Sequence, residues 1–173
     1  PMMDSVDIGL SLGSNLGDKR SHIQEAADRL LAFSDTVLVG KSRLYETEPV
    51  DVKEEFQHLT FLNSVLIVSS TASAKEWLKR IGEVEAALGR RREADDKNAP
   101  RPVDVDIIFY GDQLIGSGGL TVPHPRWAER RFVVQPLADL QPERILPGMD
   151  STVAEVMADL PGSEGVTPLD ADW

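Results

Sequence analysis

Two apolar periodicities alternate along this chain, and their order limits the folds open to it. In VDIGLSLG, residues Val6, Ile8, Leu10 and Leu12 recur at every second position, as in a half-buried strand. Asp18 stands as a helix N-cap after Gly17, and Ile23, Ala26, Ala27, Leu30 and Leu31 then fall at helical spacing. TVLVGKSRLY (36–45) and FLNSVLIVSS (61–70) form the second and third strands. Ser73 and Glu76 make a capping-box pattern; the helix it opens puts Trp77, Leu78, Ile81, Val84 and Leu88 on one face, and Gly89 can close it. VDVDIIFYG (103–111) is a fourth strand, and RRFVVQPLADL (130–140) contains a short helix. The order β-α-β-β-α-β suits an α+β ferredoxin-like sandwich, with an antiparallel-rich sheet, helices packed on one face and additional C-terminal elements. At 173 residues a single domain over 1–173 is expected, with a loosely held polar tail from about residue 161.

The fourth strand carries an anomaly. Asp104 and Asp106 lie one residue apart in an otherwise buried run, so strand alternation puts them, with Ile108 and Tyr110, opposite Val103, Val105, Ile107 and Phe109. Residues two apart on a strand are about 6.6 Å apart. At that separation two carboxylates repel by about 2.5 kcal/mol at an effective dielectric of about 20. Two arrangements relieve the repulsion: a solvent-facing strand whose acids pair with nearby arginines, or a divalent cation. Carboxylate oxygens suit Mg²⁺, which keeps waters and takes substrate phosphates as further ligands. The chain has no cysteine and three histidines, a poor supply for zinc. Arg101, just before the pair, is placed to meet the same phosphates.

Charge narrows the partners. Acidic residues outnumber basic ones 29 to 18, a net charge of −11 that disfavours nucleic acid and anionic membranes. The arginines nonetheless cluster in GRRRE (89–93), APRP (99–102) and PRWAERR (125–131), which is compatible with a bound phosphate ligand. No apolar run approaches the ~20 residues of a membrane span, and no basic-then-apolar leader opens the chain, so a cytoplasmic protein is expected. Two connections, 46–60 and 90–100, are long, charged and aperiodic, as disordered segments or active-site lids are.

Taken in order, LGSNLGD, YETEPV, FLN, LGRRR, PRPVDVDIIFYG and LTVPHPRWAERRFVVQPL resemble hydroxymethyldihydropterin pyrophosphokinases of folate biosynthesis, over about residues 7–148. That resemblance implies transfer of pyrophosphate from ATP to the hydroxymethyl group of 6-hydroxymethyl-7,8-dihydropterin, with release of AMP. It implies two Mg²⁺ ions on Asp104 and Asp106, with Arg92 and Arg101 joining them as catalytic groups. For the pterin it implies Thr47, Pro49, Val50, Phe61, Asn63 and Phe132, the two phenylalanines as a stacking pair. For ATP it implies Glu85, Arg92, Arg101, Ile107, Thr121, His124 and Arg130. Ser14 and Asn15 stay structural, shaping the turn into the first helix. The implied partners are the two small molecules alone, with no nucleic acid or membrane, and a monomer is expected. Gly82, Gly119 and the Asn98-Ala99 pair depart from the family pattern, where Gln, a basic residue and an aromatic-Gly pair are common. These departures keep open a paralogue that binds pterin or nucleotide without transfer.

Overall fold

A computed structural model describes residues 4–48, 60–89, 102–161, 165–169 and 173. Its elements run β1 (Val6–Ser14), α1 (Lys19–Leu31), β2 (Thr36–Lys41), β3 (Tyr45–Thr47), β4 (Phe61–Ser70), α2 (Ala74–Ala87), β5 (Asp104–Tyr110), β6 (Ile115–Ser117), β7 (Leu120–Val122), α3 (Arg131–Leu140), α4 (Val153–Asp159) and β8 (Val166–Pro168). One sheet has the order β5-β1-β4-β3-β8, with β2 also on β4, and its paired strands are antiparallel. The α+β ferredoxin-like expectation therefore holds.

Both faces of the sheet are covered, not one. On the first face, Ile8, Leu10, Leu12, Leu66 and Val68 meet Ile23, Ala26 and Leu30 of α1 and Trp77, Ile81 and Val84 of α2. On the second, Val65, Ile67, Ile108 and Phe109 meet Trp127, Val133, Val134 and Leu137, with Val153 and Val156 of α4 behind them. The C-terminal elements thus supply a second core that the strand and helix periodicities alone did not announce. Both early helices are capped as expected: Asp18 accepts from the Ser21 backbone N–H at 3.2 Å and Ser73 from that of Glu76 at 3.1 Å. The complete reciprocal box belongs instead to Thr152 and Glu155 at the start of α4.

Three local departures have identifiable causes. The expected strand 36–45 is two strands, because residues 42–44 stand against only 64–65 of β4. Ser42 bridges the break: its N–H donates to Val65 O and its hydroxyl accepts from Val65 N, both at 2.9 Å. In β5 the register against β1 slips at Ile108, between Gly9 and Leu10. Beyond that bulge the faces exchange, so Tyr110 joins the first core and Phe109 the second, the reverse of simple alternation. Finally, the described part of the tail is held in place: β8 pairs with β3 and Trp173 is buried in the first core.

Gly118 and Gly119 join β6 to β7 as a two-residue hairpin loop, with φ of 64° and 80°. Left-handed conformation at both positions is what such loops require, so Gly119 has a backbone reason to be where it is.

Of the described glycines, Gly9 has the least room for a side chain. A Cβ there would lie 2.6 Å from Phe109 Cδ2 and 3.1 Å from its Cζ. Gly9→Ala is expected to lose about 2 kcal/mol, since a fully buried ring has nowhere to go. Urea denaturation would read this as a lower midpoint at constant slope.

Candidate active site

Register places the candidate residues on one sheet face. Asp104 lies opposite Gly13, Gly13 opposite Asn63, and Asn63 opposite Tyr45. In the adjoining rows Asp106 lies opposite Ser11, and Phe61 opposite Thr47. Directly opposed residues share a face, and so do residues two apart. Asp104, Asp106, Phe61, Asn63 and Thr47 therefore all share the face on which α3 packs, and Val65 ties that face to the second core. The two aspartates are half-buried there, both engaged by other groups.

Asn63 is held at the centre. It is buried, and its Nδ2 donates to Thr47 Oγ1 at 2.6 Å. Its Oδ1 occupies the space above Gly13, where a Cβ would come within 2.7 Å. The glycine thus lets the amide lie flat between Thr47 and the row of Asp104. Gly13→Ala is expected to leave stability within about 0.5 kcal/mol, because only the tip of one side chain must turn. A thermal melt beside the native protein checks this.

Both phenylalanines of the motifs are half-buried. Phe61 opens β4, half-buried, and Lys19 anchors the residue before it by donating to Thr60 O and Oγ1, each at 3.0 Å. Phe132 stands in the first turn of α3, half-buried and packed on the second core. The Arg130 guanidinium lies 5.7 Å from the Phe132 ring centroid. Behind them, the Tyr45 hydroxyl donates to Asp139 Oδ2 at 2.5 Å, fastening β3 to α3. Burial, helped by the Asp139 carboxylate, pushes the Tyr45 hydroxyl far above its ordinary pKa, so it remains a donor.

The segment after β7 returns to β5. The Val122–Pro123 peptide is cis, and His124 N donates to Ile108 O at 2.8 Å. His124 Nδ1 accepts from Arg126 N at 3.1 Å, which places the ring proton on Nε2. Burial lowers the His124 pKa; Arg130 and Arg126 add to the shift and Asp104 opposes it. A neutral ring is thus preferred in the fold. Its stabilising share is present above about pH 6.5 and is lost as pH falls through the lower folded value. A chemical-denaturation series from pH 8 to 5 is expected to show this loss in the native chain and not in His124→Gln.

Two residues implied for ATP are buried. Glu85 is buried, and its Oε2 accepts from Val105 N at 2.9 Å, so it grips β5 between the two aspartates. Ile107 is buried in the first core, away from the acidic face. Thr121 is exposed on β7. Pro49, Val50, Arg92 and Arg101 lie outside the described residues, as do Asn98, Ala99 and the connection 90–100. Ser14 and Asn15 are buried at the end of β1. Gly13, Tyr45 and Lys19 escaped the sequence reading. A glycine inside a strand was the available signal for Gly13, since it marks close approach by another group.

The donor set suits a hard divalent cation. Two half-buried carboxylates share a face and a strand, and among the described residues no cluster of three or more His, Asp or Glu side chains forms. Such a pair matches Mg²⁺, whose remaining positions are filled by water and phosphate rather than by an all-protein cage. Among the described residues no helix is long and apolar enough to cross a membrane.

Fold and register together define a ferredoxin-like α+β domain with two half-buried carboxylates, Phe61 and Asn63 on one sheet face. Residues 9–142 match the family described as 7,8-dihydro-6-hydroxymethylpterin-pyrophosphokinase, and the chain belongs to that family. It is 34% identical over 131 residues to the 2-amino-4-hydroxy-6-hydroxymethyldihydropteridine pyrophosphokinase of Bacillus subtilis, covering 76% of this chain and 75% of that one. It is 33% identical over 152 residues to the folic acid synthesis protein fol1 of Pneumocystis carinii, covering 88% of this chain but only 20% of that longer protein. The fold matches the crystal structure of Plasmodium falciparum HPPK-DHPS with pteroate at a TM-score of 0.71 and 15% identity, covering 91% of this chain and 43% of that one.

Proposed function

We propose that this chain transfers the β,γ-pyrophosphoryl group of ATP to the hydroxymethyl oxygen of 6-hydroxymethyl-7,8-dihydropterin. In that reaction the hydroxymethyl oxygen bonds to the β-phosphorus, the bond from that phosphorus to the α,β-bridging oxygen breaks, and AMP leaves. The observation that carries the reading is the shared sheet face. Strand register brings the two carboxylates of β5 and the Phe61–Asn63 end of β4 to either side of Gly13. A triphosphate and a flat heterocycle bound there would meet over one glycine.

In this reading Phe61 and Phe132 stack on the two faces of the pterin, adding about 0.5–1.5 kcal/mol beyond area burial. Asn63, fixed by Thr47, reads the donor and acceptor pattern of its edge. Pro49 and Val50, next to Thr47 in sequence, complete the pterin set. His124 offers Nε2–H to a phosphate or base, and Arg130 adds charge beside Phe132. Thr121 joins the nucleotide set through its exposed hydroxyl, and Ile107 through its backbone. Glu85 acts through Val105, holding the strand that bears both carboxylates. Arg92 and Arg101 neutralise the transferring phosphates. Asp104 and Asp106 would hold two Mg²⁺ ions, which when bound supply Lewis-acid stabilisation of the phosphoryl oxygens. Phosphoryl-type transfer draws mostly on positioning and electrostatics, so a dedicated base for the pterin hydroxyl is not required. Absence of cysteine agrees with a reducing, cytoplasmic setting.

Product analysis tests the reading. With ATP, Mg²⁺ and the reduced pterin together, AMP is expected to form in step with pterin pyrophosphate. ADP as product, or AMP at the same rate without pterin, would overturn it.

A further inference from the structure

The end of the chain lies beyond the family match, which stops at residue 142, yet it closes on the sheet edge that carries Thr47. β8 pairs Val166 with Thr47, Thr167 with Glu46 and Pro168 with Tyr45. Glu48 N donates to Gly165 O at 2.8 Å and Leu169 N to Leu44 O at 2.9 Å, continuing the ladder at both ends. Trp173 then enters the first core at 9% exposure, and its Nε1 donates to Ser42 O at 2.8 Å. Lys41 Nζ sits 4.5 Å from its ring centroid. The indole therefore pins the joint between β2 and β3, while β8 pins β3 itself.

β3 has three residues, too few to hold a fixed position without neighbours on both sides. What it positions is Thr47, whose hydroxyl takes the Asn63 amide at 2.6 Å. An amide presents a carbonyl on one side and an NH₂ on the other, so its rotation decides which pattern a ligand edge meets. A β3 that slid or frayed would release that amide while leaving Phe61 and the aspartates on their own strands. Pro168, without an N–H, suits the strand that ends the sheet.

We propose that β8 and Trp173 form a positioning clamp that acts through β3 and Thr47 to fix the Asn63 amide toward the pterin edge. The clamp rests on the reading above that this face binds a pterin. Its residues touch no substrate, and its effect is selective for one of the two.

The test compares Thr167→Pro, which removes one ladder N–H, Trp173→Ala, which removes the plug, and Trp173→Phe, which keeps a ring and loses the indole bond. KM for pterin, KM for ATP and kcat are measured on the full chain, with hydrogen exchange at the Glu46 and Glu48 amides. Thr167→Pro and Trp173→Ala are expected to raise the pterin KM about tenfold and speed exchange in β3, with the ATP KM within about twofold. Trp173→Phe is expected to recover most of the pterin KM. Faster exchange with an unchanged pterin KM, or equal rises in both KM values, would overturn the clamp as a positioning device. If the unaltered protein makes no pterin-dependent AMP, the functional reading fails instead. The clamp's hold on β3 is then judged by exchange alone, and exchange at the native rate in Thr167→Pro overturns it.

Discussion

Asp104→Ala and Asp106→Ala are each expected to cut pterin-dependent AMP formation by at least about a thousandfold, several kcal/mol of lost charge stabilisation. The fold is expected to survive. Both carboxylates are half-buried at the edge strand, on the far side of the sheet from the first core. Thermal melts of both variants beside the native protein check this. The informative comparison is with Asp→Asn at each position, which keeps shape and removes charge. If Asn at either site retains more than about a tenth of the native rate, the charge there is not holding a cation that the reaction needs.

The largest stability effect is expected far from this site. Asp35 receives Arg80 at 2.9 and 2.7 Å through both guanidinium arms. The Arg80 side chain is 9% exposed, and its guanidinium lies 4.0 Å from the Phe33 ring centroid and 5.1 Å from that of Trp77. Asp35→Ala would strand that cation against two aromatic rings, with Glu76 at 3.7 Å as its remaining acid. A loss of about 3 kcal/mol is expected, by denaturant titration at pH 7. The Arg80 guanidinium holds the Asp35 carboxyl down to about 2, from an ordinary 3.8. Because the folded value is depressed, the contribution is complete above pH 3.8 and is lost as pH falls toward 2. Native protein should therefore lose this share of its stability across that window, while Asp35→Ala, having no carboxyl there, should lose none of it.

How much of this was legible beforehand varies by element, for physical reasons. α1 and α2 declared themselves because Ile23, Ala26, Leu30, Trp77, Ile81 and Val84 bury one stripe each against one core. β1, β4 and β5 were equally plain, and so was the carboxylate pair, since two acids in an apolar strand need a partner. The bulge at Ile108 left no trace in residue types; five apolar or aromatic residues follow Asp104 with one aspartate among them, and either register fits that run. The break at Ser42 escaped notice because Ser42 replaces a lost ladder bond with its own hydroxyl. β8 has three residues and reads as a polar tail, because its partner is set by the sheet edge rather than by local pattern. In the site, the rings, Asn63 and the aspartates were identified from the motifs, whereas the packing of Asn63 over Gly13 is a cross-strand relation that only register reveals.

If the proposed transfer runs on this face, Asp104 and Asp106 hold the cations beside which a triphosphate lies next to a stacked pterin. A crystal grown with Mg²⁺, a non-hydrolysable ATP analogue and the pterin tests it most directly. Metal density is expected at about 2.1 Å from carboxylate oxygens of both residues and from phosphate oxygens, with the bicyclic ring between Phe61 and Phe132. Both ligands bound while the two carboxylates contact only arginine side chains or solvent, with the metal elsewhere, would contradict it.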